Sequence, residues 1–220
     1  MAFQWFSDLF NKRAAELQIF EKVVAKTWGE SKVVLYNAKS DKVIDIRETL
    51  KLYGASEQFL RGALTDAGIT VSDDLDTKVE KIRDYVNKRL KYSFDQANYL
   101  KPEFWADAYT VWSKKTDDCD GYAILIMKLM ELAGIPAWRR RVVAGKVATG
   151  EGHAYVVYFT QKNNIWCVVE GSYYASEAKL LFNTKPYTDN YRYVNVWFAF
   201  NEEKAWSKDK YAFANDFSKE

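Results

Sequence analysis

The hydrophobic positions change their period along the chain. Near the start, Phe6, Leu9, Phe10, Leu17, Phe20, Val24 and Trp28 recur at three- and four-residue spacing, which predicts one or two amphipathic helices packing on the core or on a partner. Residues 33–36 read as a short strand, and DIRETLKLYG followed by SEQFLRGALTDAG as two short helices parted near Gly54. Val79, Ile82, Val86 and Leu90 then mark one face of a longer helix that Ser72 would cap. Beyond the loop holding Pro102, a short helix is expected over residues 105–112.

The run CDGYAILIMKLMELA, residues 119–133, carries only Lys128 and Glu131 as charges after its first two residues, so nearly every side of it must be covered. It predicts a central buried helix, with Thr116, Asp117 and Asp118 supplying capping oxygens ahead of it. Gly134 and Pro136 stop it, and the period then falls to two. AWRRRVVAGKV, HAYVVYFT and IWCVVEG predict three neighbouring antiparallel strands, the last two joined by a hairpin at residues 161–164. Residues 191–200 would extend that sheet, and the charged tail beyond reads as helical or frayed. The expected class is α+β: N-terminal helices and a central buried helix packed on an antiparallel sheet. Residues 1–71 are read as a helical extension packed on a core of residues 72–220, one compact unit overall.

With 220 residues, 48% hydrophobic and 16% aromatic, the chain has enough apolar material for one large domain. A net charge of +2, from 32 basic and 30 acidic residues mixed along the chain, gives no field that would draw it to nucleic acid or to a membrane. The densest basic run, Arg139 to Arg141, is expected at a solvated strand edge with one arginine paired inward. The N-terminus lacks the pattern of a secretory signal, and no stretch approaches the roughly 20 apolar residues of a membrane span, so a cytoplasmic location is expected. Two cysteines make no disulfide framework, and one histidine with two distant cysteines falls short of a zinc ligand set. No glycine-rich nucleotide motif is present, so no cofactor and no metal are expected.

Candidate chemistry gathers on three residues. Cys119 lies at the start of the buried helix, where unpaired backbone N–H groups and the helix dipole favour a thiolate. The flanking Asp117, Asp118 and Asp120 would oppose that charge unless they point at backbone caps or solvent. His153, the sole histidine, opens a strand after Gly150-Glu151-Gly152 and is the only candidate base for cysteine chemistry. Counting outward from a turn at Gln161 and Lys162 makes Glu170 its directly opposite cross-strand partner, placed to fix the imidazole tautomer. Each has an ordinary explanation taken singly: a buried thiol, a strand-entry histidine, an idle cross-strand charge. Cys167, three residues before Glu170, falls on the opposite face and reads as core packing.

In order along residues 74–172, LKYSF with Tyr92, Trp105 fourteen residues before the cysteine, DDCDGYA, LMELAGIPAWRRRVV, GHAYVVY and WCVVEGS resemble the transglutaminase-like superfamily, including its bacterial cysteine peptidases. The resemblance implies a papain-like arrangement with Cys119, His153 and Glu170 as nucleophile, base and acid. Trp105 and Tyr92 become candidates for oxyanion contact or packing. It also implies amide acyl transfer through a thioester, resolved by water as in a peptidase or amidase, or by an amine as in a transglutaminase. The partner would be a protein or peptide substrate. A non-catalytic module of the same fold, docking through the N-terminal helices and the 13 Phe, 15 Tyr and 8 Trp, is the alternative. The chain departs from the family pattern three times. Asp117 stands where glycine is usual, Gly121 where a second acidic residue is usual, and Glu170 where the acid is usually Asp.

Overall fold

Burial of a helix on all sides requires layers on all sides, and the computed structural model provides them; it describes residue 12 and residues 30–37, 41–172, 187 and 192–217. The helix-patterned stretch at residues 6–28 lies outside the described residues apart from Lys12. The central helix, α5 (Cys119–Leu132), has every residue from Asp120 to Met130 buried. Before it come α1 (Ser56–Asp66), α2 (Leu75–Arg89), α3 (Asp95–Tyr99) and α4 (Ala108–Lys114). α1, α2 and α4 pack on α5 from one side, and the main sheet covers the other.

That sheet has five strands: β5 (Arg140–Val147), β6 (Gly152–Phe159), β7 (Trp166–Val169), β8 (Tyr193–Phe200) and β9 (Ala205–Ser207), in the order β7-β6-β5-β8-β9, all antiparallel. Alternation sorts its side chains. Ala154, Val156, Tyr158, Val169, Phe198 and Phe200 meet the helices, while Tyr155, Val157, Phe159, Trp166, Val168 and Tyr193 build a second apolar cluster on the far face. The expected α+β architecture and the adjacency of β5, β6 and β7 are therefore observed, with β8 extending the sheet as expected.

Several local expectations are corrected. Asp74, not Ser72, caps α2 by accepting from the Thr77 amide at 2.7 Å, because α2 starts at Leu75. The helix expected from Trp105 begins at Ala108 behind the Asp107 cap. The charged tail holds β9, β10 (Tyr211–Phe213) and a short helix, α6 (Ala214–Phe217). β10 pairs in parallel with β1 (Lys32–Asn37), whose other edge takes β2 (Lys42–Asp45), so strands from the two ends of the chain share one small sheet. The arginine run is not a solvated edge. Arg139, Arg140 and Arg141 are all buried, Arg140 forking onto Glu202 and Arg141 lying 3.9 Å over the Trp206 ring. Lone guanidinium groups would be costly there, and the carboxylate and ring faces supply what water would.

Asp76 ties the sheet to the helices. It sits in the first turn of α2, 8% exposed, and accepts from the Tyr158 hydroxyl at 2.8 Å and from the Gln161 and Lys162 amides at 2.7 and 2.9 Å. The β6–β7 turn is thereby fixed to a helix, which sets where the two strands end.

Candidate active site

Two short strands, β3 (Lys91–Tyr92) and β4 (Thr116–Asp117), pair in parallel and deliver the chain into α5. Asp118 is its N-cap and Cys119 its first residue, so the sulfur stands at the positive end of a buried 14-residue helix. Cys119 is half-buried, and its Sγ accepts from the Ala154 amide of β6 at 3.4 Å.

His153 precedes that amide; its Nε2 lies 2.8 Å from Glu170 Oε2, and its ring stands close enough to Cys119 to pull the thiol pKa down. The expected register is corrected. β6 pairs with β7 as Val156↔Val169 and Phe159↔Trp166, so continuing the ladder sets Glu170 opposite Tyr155, not opposite His153. A two-residue offset leaves His153 and Glu170 on one face as diagonal neighbours, and the extra methylene of glutamate covers the added reach. Gly145, the β5 partner of His153, has the Asn195 carbonyl 2.0 Å from where a Cβ would stand, so any larger residue would push β8 away.

Glu170 is 2% exposed, yet each oxygen is satisfied: Oε2 also accepts from the Tyr193 hydroxyl at 2.9 Å, and Oε1 from the Ser172 amide at 3.0 Å. Burial works against its charge, but His153 and these donors hold its carboxyl below the usual range. Burial alone would lower His153; the Glu170 charge and the bond to Cys119 outweigh it and raise the imidazolium to about 10. For Cys119, burial pushes the thiol up, His153 pulls it down and Asp118 pushes it up again.

A cleft of about 260 Å³ opens over the sulfur, lined by Tyr92, Phe94, Trp105, Trp197 and Phe198 with Asp95, Glu103, Asp118 and His153. Trp105 is buried, gives its indole N–H to Glu103 at 2.7 Å and packs on Phe198 and Phe200, so its role as placed is packing. Tyr92 is 42% exposed on the cleft wall, stacked edge-on with Phe94. Cys167 is buried in β7, on the face away from Glu170.

The acidic residues do not all behave as required. Asp117 accepts from the Asp118 amide and from the Tyr99 hydroxyl, and Asp118 caps α5. Asp120 points at neither cap nor solvent: it is 2% exposed, and both carboxylate oxygens lack a hydrogen-bond partner among the described residues. Asp95, equally buried, gives one oxygen to the Phe104 amide and leaves the other unpartnered. Ligand oxygens of Asp95, Asp118 and Asp120 lie within 4.8 Å of one another. Burial and mutual repulsion raise these carboxyls, Asp95 to about 8 and the nearby Glu103 to about 7. The sequence expectation of no metal considered histidine and cysteine ligands; this all-oxygen set lay outside it. The aspartates around the cysteine were visible in the sequence, but Asp95 is brought to them only by α3.

Residues 64–171, just under half of the chain, match a family model described as the transglutaminase-like superfamily, and it is this segment that is transglutaminase-like. Among solved structures it is similar to EGTA-treated Legionella pneumophila LapG, at 16% identity over 79% of this chain and 87% of that one, TM-score 0.51. The calcium-bound form of the same protein matches at 16% identity over 74% and 85%, TM-score 0.50. At such identity the likeness is one of fold. No curated protein sequence matches the chain. Among the described residues, no helix is long and apolar enough to cross a membrane.

Proposed function

We propose that this chain is a cysteine-dependent acyl-transfer enzyme acting on amide bonds, with Cys119 as nucleophile, His153 as base and Glu170 as the group that orients it. The observation that carries the reading is the His153–Glu170 pair, 2.8 Å apart, beside Cys119 at a helix start on the floor of a cleft. The thiolate attacks the amide carbonyl, and the oxyanion is held by the Cys119 amide with the Tyr92 hydroxyl as second donor. The tetrahedral adduct collapses, the C–N bond breaks, and the amine leaves with the proton His153 held. The thioester is then cleaved by water, whose proton returns to His153, releasing the acid and regenerating the thiolate. An amine acceptor in place of water would give transglutamination; we favour water, which needs no second binding site. A compartment that keeps Cys119 reduced, such as the cytosol, suits this chemistry.

The buried, unpartnered oxygens of Asp95 and Asp120 fit a hard divalent cation with an all-oxygen shell, completed by Asp118. Calcium is the candidate, since a similar fold is known in a calcium-bound form. A bound cation would supply neutralising charge beside Cys119, removing the Asp118 repulsion that opposes the thiolate.

A chloroacetamide probe tests the catalytic reading. Labelling should be stoichiometric, confined to Cys119, absent in Cys119→Ser and at least roughly tenfold slower in His153→Ala, in line with the usual worth of a positioned base. Equal labelling rates with and without His153 would instead favour a non-catalytic module of the same fold.

A further inference from the structure

Glu170 Oε2 is shared. On one side it meets His153 Nε2 at 2.8 Å, on the other the Tyr193 hydroxyl at 2.9 Å, and all three side chains are at most 5% exposed. An ionised carboxylate only accepts, so the phenol must be the donor. We infer that Tyr193 is a positioning residue that acts through Glu170: it fixes the rotation of the carboxylate and so the orientation of His153 toward Cys119. This deepens the catalytic reading above and rests on it.

The local structure is arranged to bring Tyr193 there. β8 runs against β5 with register shifts between Ala144 and Gly145 and between Lys146 and Val147, and β8 uses one extra residue at each. Such bulges re-aim side chains next to functional sites. They set Tyr193 opposite Val147 and turn its ring into the far-face cluster, 4.4 Å from the Tyr155 ring. Tyr155 in turn stacks along His153 at 5.9 Å and bonds the Tyr187 hydroxyl at 2.6 Å. Ser172 holds Oε1, so the two oxygens of Glu170 are pinned from opposite sides. Without the phenol, Oε2 would lose one of the donors that fix it, and the carboxyl would be freer to turn with the ring. A hydrogen bond to a charged, buried group is among the stronger single contacts in a protein.

Tyr193→Phe is the test, because it removes the hydroxyl and retains the ring contacts that hold the fold. The full chain is used, and His153 as sole histidine gives unambiguous imidazole NMR signals. The expected result is chloroacetamide labelling of Cys119 slower by roughly ten- to a hundredfold, the worth of one charged hydrogen bond. The His153 Nε2–H proton should exchange with water at least several times faster, while circular dichroism should show the fold retained at the assay temperature. Tyr155→Phe, which breaks the Tyr155–Tyr187 bond but does not touch Glu170, should leave both readouts unchanged. The inference is overturned if Tyr193→Phe leaves labelling and imidazole exchange as in the wild type, or if Tyr155→Phe causes the same loss. If His153→Ala labels as fast as wild type, the catalytic reading fails instead, and proton exchange alone decides whether Tyr193 orders the imidazole.

Discussion

Removing divalent cations should make this protein markedly less stable as pH rises. Burial, with the charge of Asp118, raises Asp95 to about 8, and Asp117 and Glu103 each to about 7. A carboxyl whose folded pKa exceeds its unfolded value of 3.8 favours the fold while protonated. Its contribution is therefore complete below about pH 4 and is lost as pH climbs through 7 to 8. For Asp95, a rise from 3.8 to about 8, at about 1.4 kcal/mol per unit, is on the order of 5 kcal/mol, a large share of the roughly 5–15 kcal/mol that holds a domain folded. The neighbouring carboxyls share one field, so their losses do not add. For a chain of this size, 5 kcal/mol corresponds to about 10–20 °C in melting temperature. Thermal unfolding of EDTA-treated protein should thus fall by roughly 8–16 °C between pH 5 and pH 8, which spans about three of those four units, and excess calcium should restore most of it at pH 8. His153, raised to about 10, adds a decline of the same sign above its unfolded 6.5, so the calcium-dependent part is the readout. Asp95→Asn and Asp120→Asn need no counter-charge and should flatten the profile and abolish the calcium response. A metal-free protein as stable at pH 8 as at pH 5, or an Asp120→Asn variant that still answers to calcium, would refute the reasoning.

Two further outcomes concern the frame around the site. Asp76→Ala should lower stability by roughly 3 kcal/mol, read as a reduced urea midpoint, because it strands the Tyr158 hydroxyl and the Gln161 and Lys162 amides; a change under about 0.5 kcal/mol would mean the turn does not depend on it. Gly121→Ala should cost roughly 1–3 kcal/mol by overpacking, since its Cβ would stand 2.3 Å from Asp117 Cγ and 2.5 Å from Asp117 Cβ, and most of that cost should vanish in an Asp117→Gly background. Additive losses in that double-mutant cycle would show the two positions to be independent.

Much of the fold was legible because period, length and punctuation agreed. The all-apolar run of α5, bounded by capping aspartates and by Gly134 and Pro136, admitted one reading. So did the β-branched runs of β5, β6 and β7. What was not legible depended on distant partners. β9 and β10 are three residues each and take their form from β8 and β1, too short for periodicity to mark. The arginine run looked exposed because Glu202, Trp166 and Trp206, which make its burial tolerable, lie far along the chain. The closeness of Cys119, His153 and Glu170 was anticipated from residue type and order, while the register was miscounted by two because the turn centres between Lys162 and Asn163. Side-chain alternation made that error harmless: an even slip keeps a residue on its face, whereas a slip of one would have turned Glu170 away from His153.

The departures at 117 and 121 are two aspects of a single arrangement. The superfamily pattern sets glycine before the cysteine and an acid after it, and this chain has the acid before and the glycine after. In this structure the Asp117 carboxyl fills the space over Gly121, with Cγ and Oδ2 at 2.3 and 2.5 Å from where a side chain there would begin, so an acid at 117 and a side chain at 121 exclude one another here. The Asp117 carboxylate thus reaches the first turn of α5 from β4, beside Asp120, which the helix itself carries. Its bonds to Tyr99 and to the Asp118 amide fasten α3 to the strand that introduces Cys119. α3 also carries Asp95, so the exchange couples the carboxylate cluster mechanically to the entry of the nucleophile's helix. Charge bound at Asp95, Asp118 and Asp120 would then bear on Cys119 twice, through the field at its sulfur and through the strand and helix that hold it.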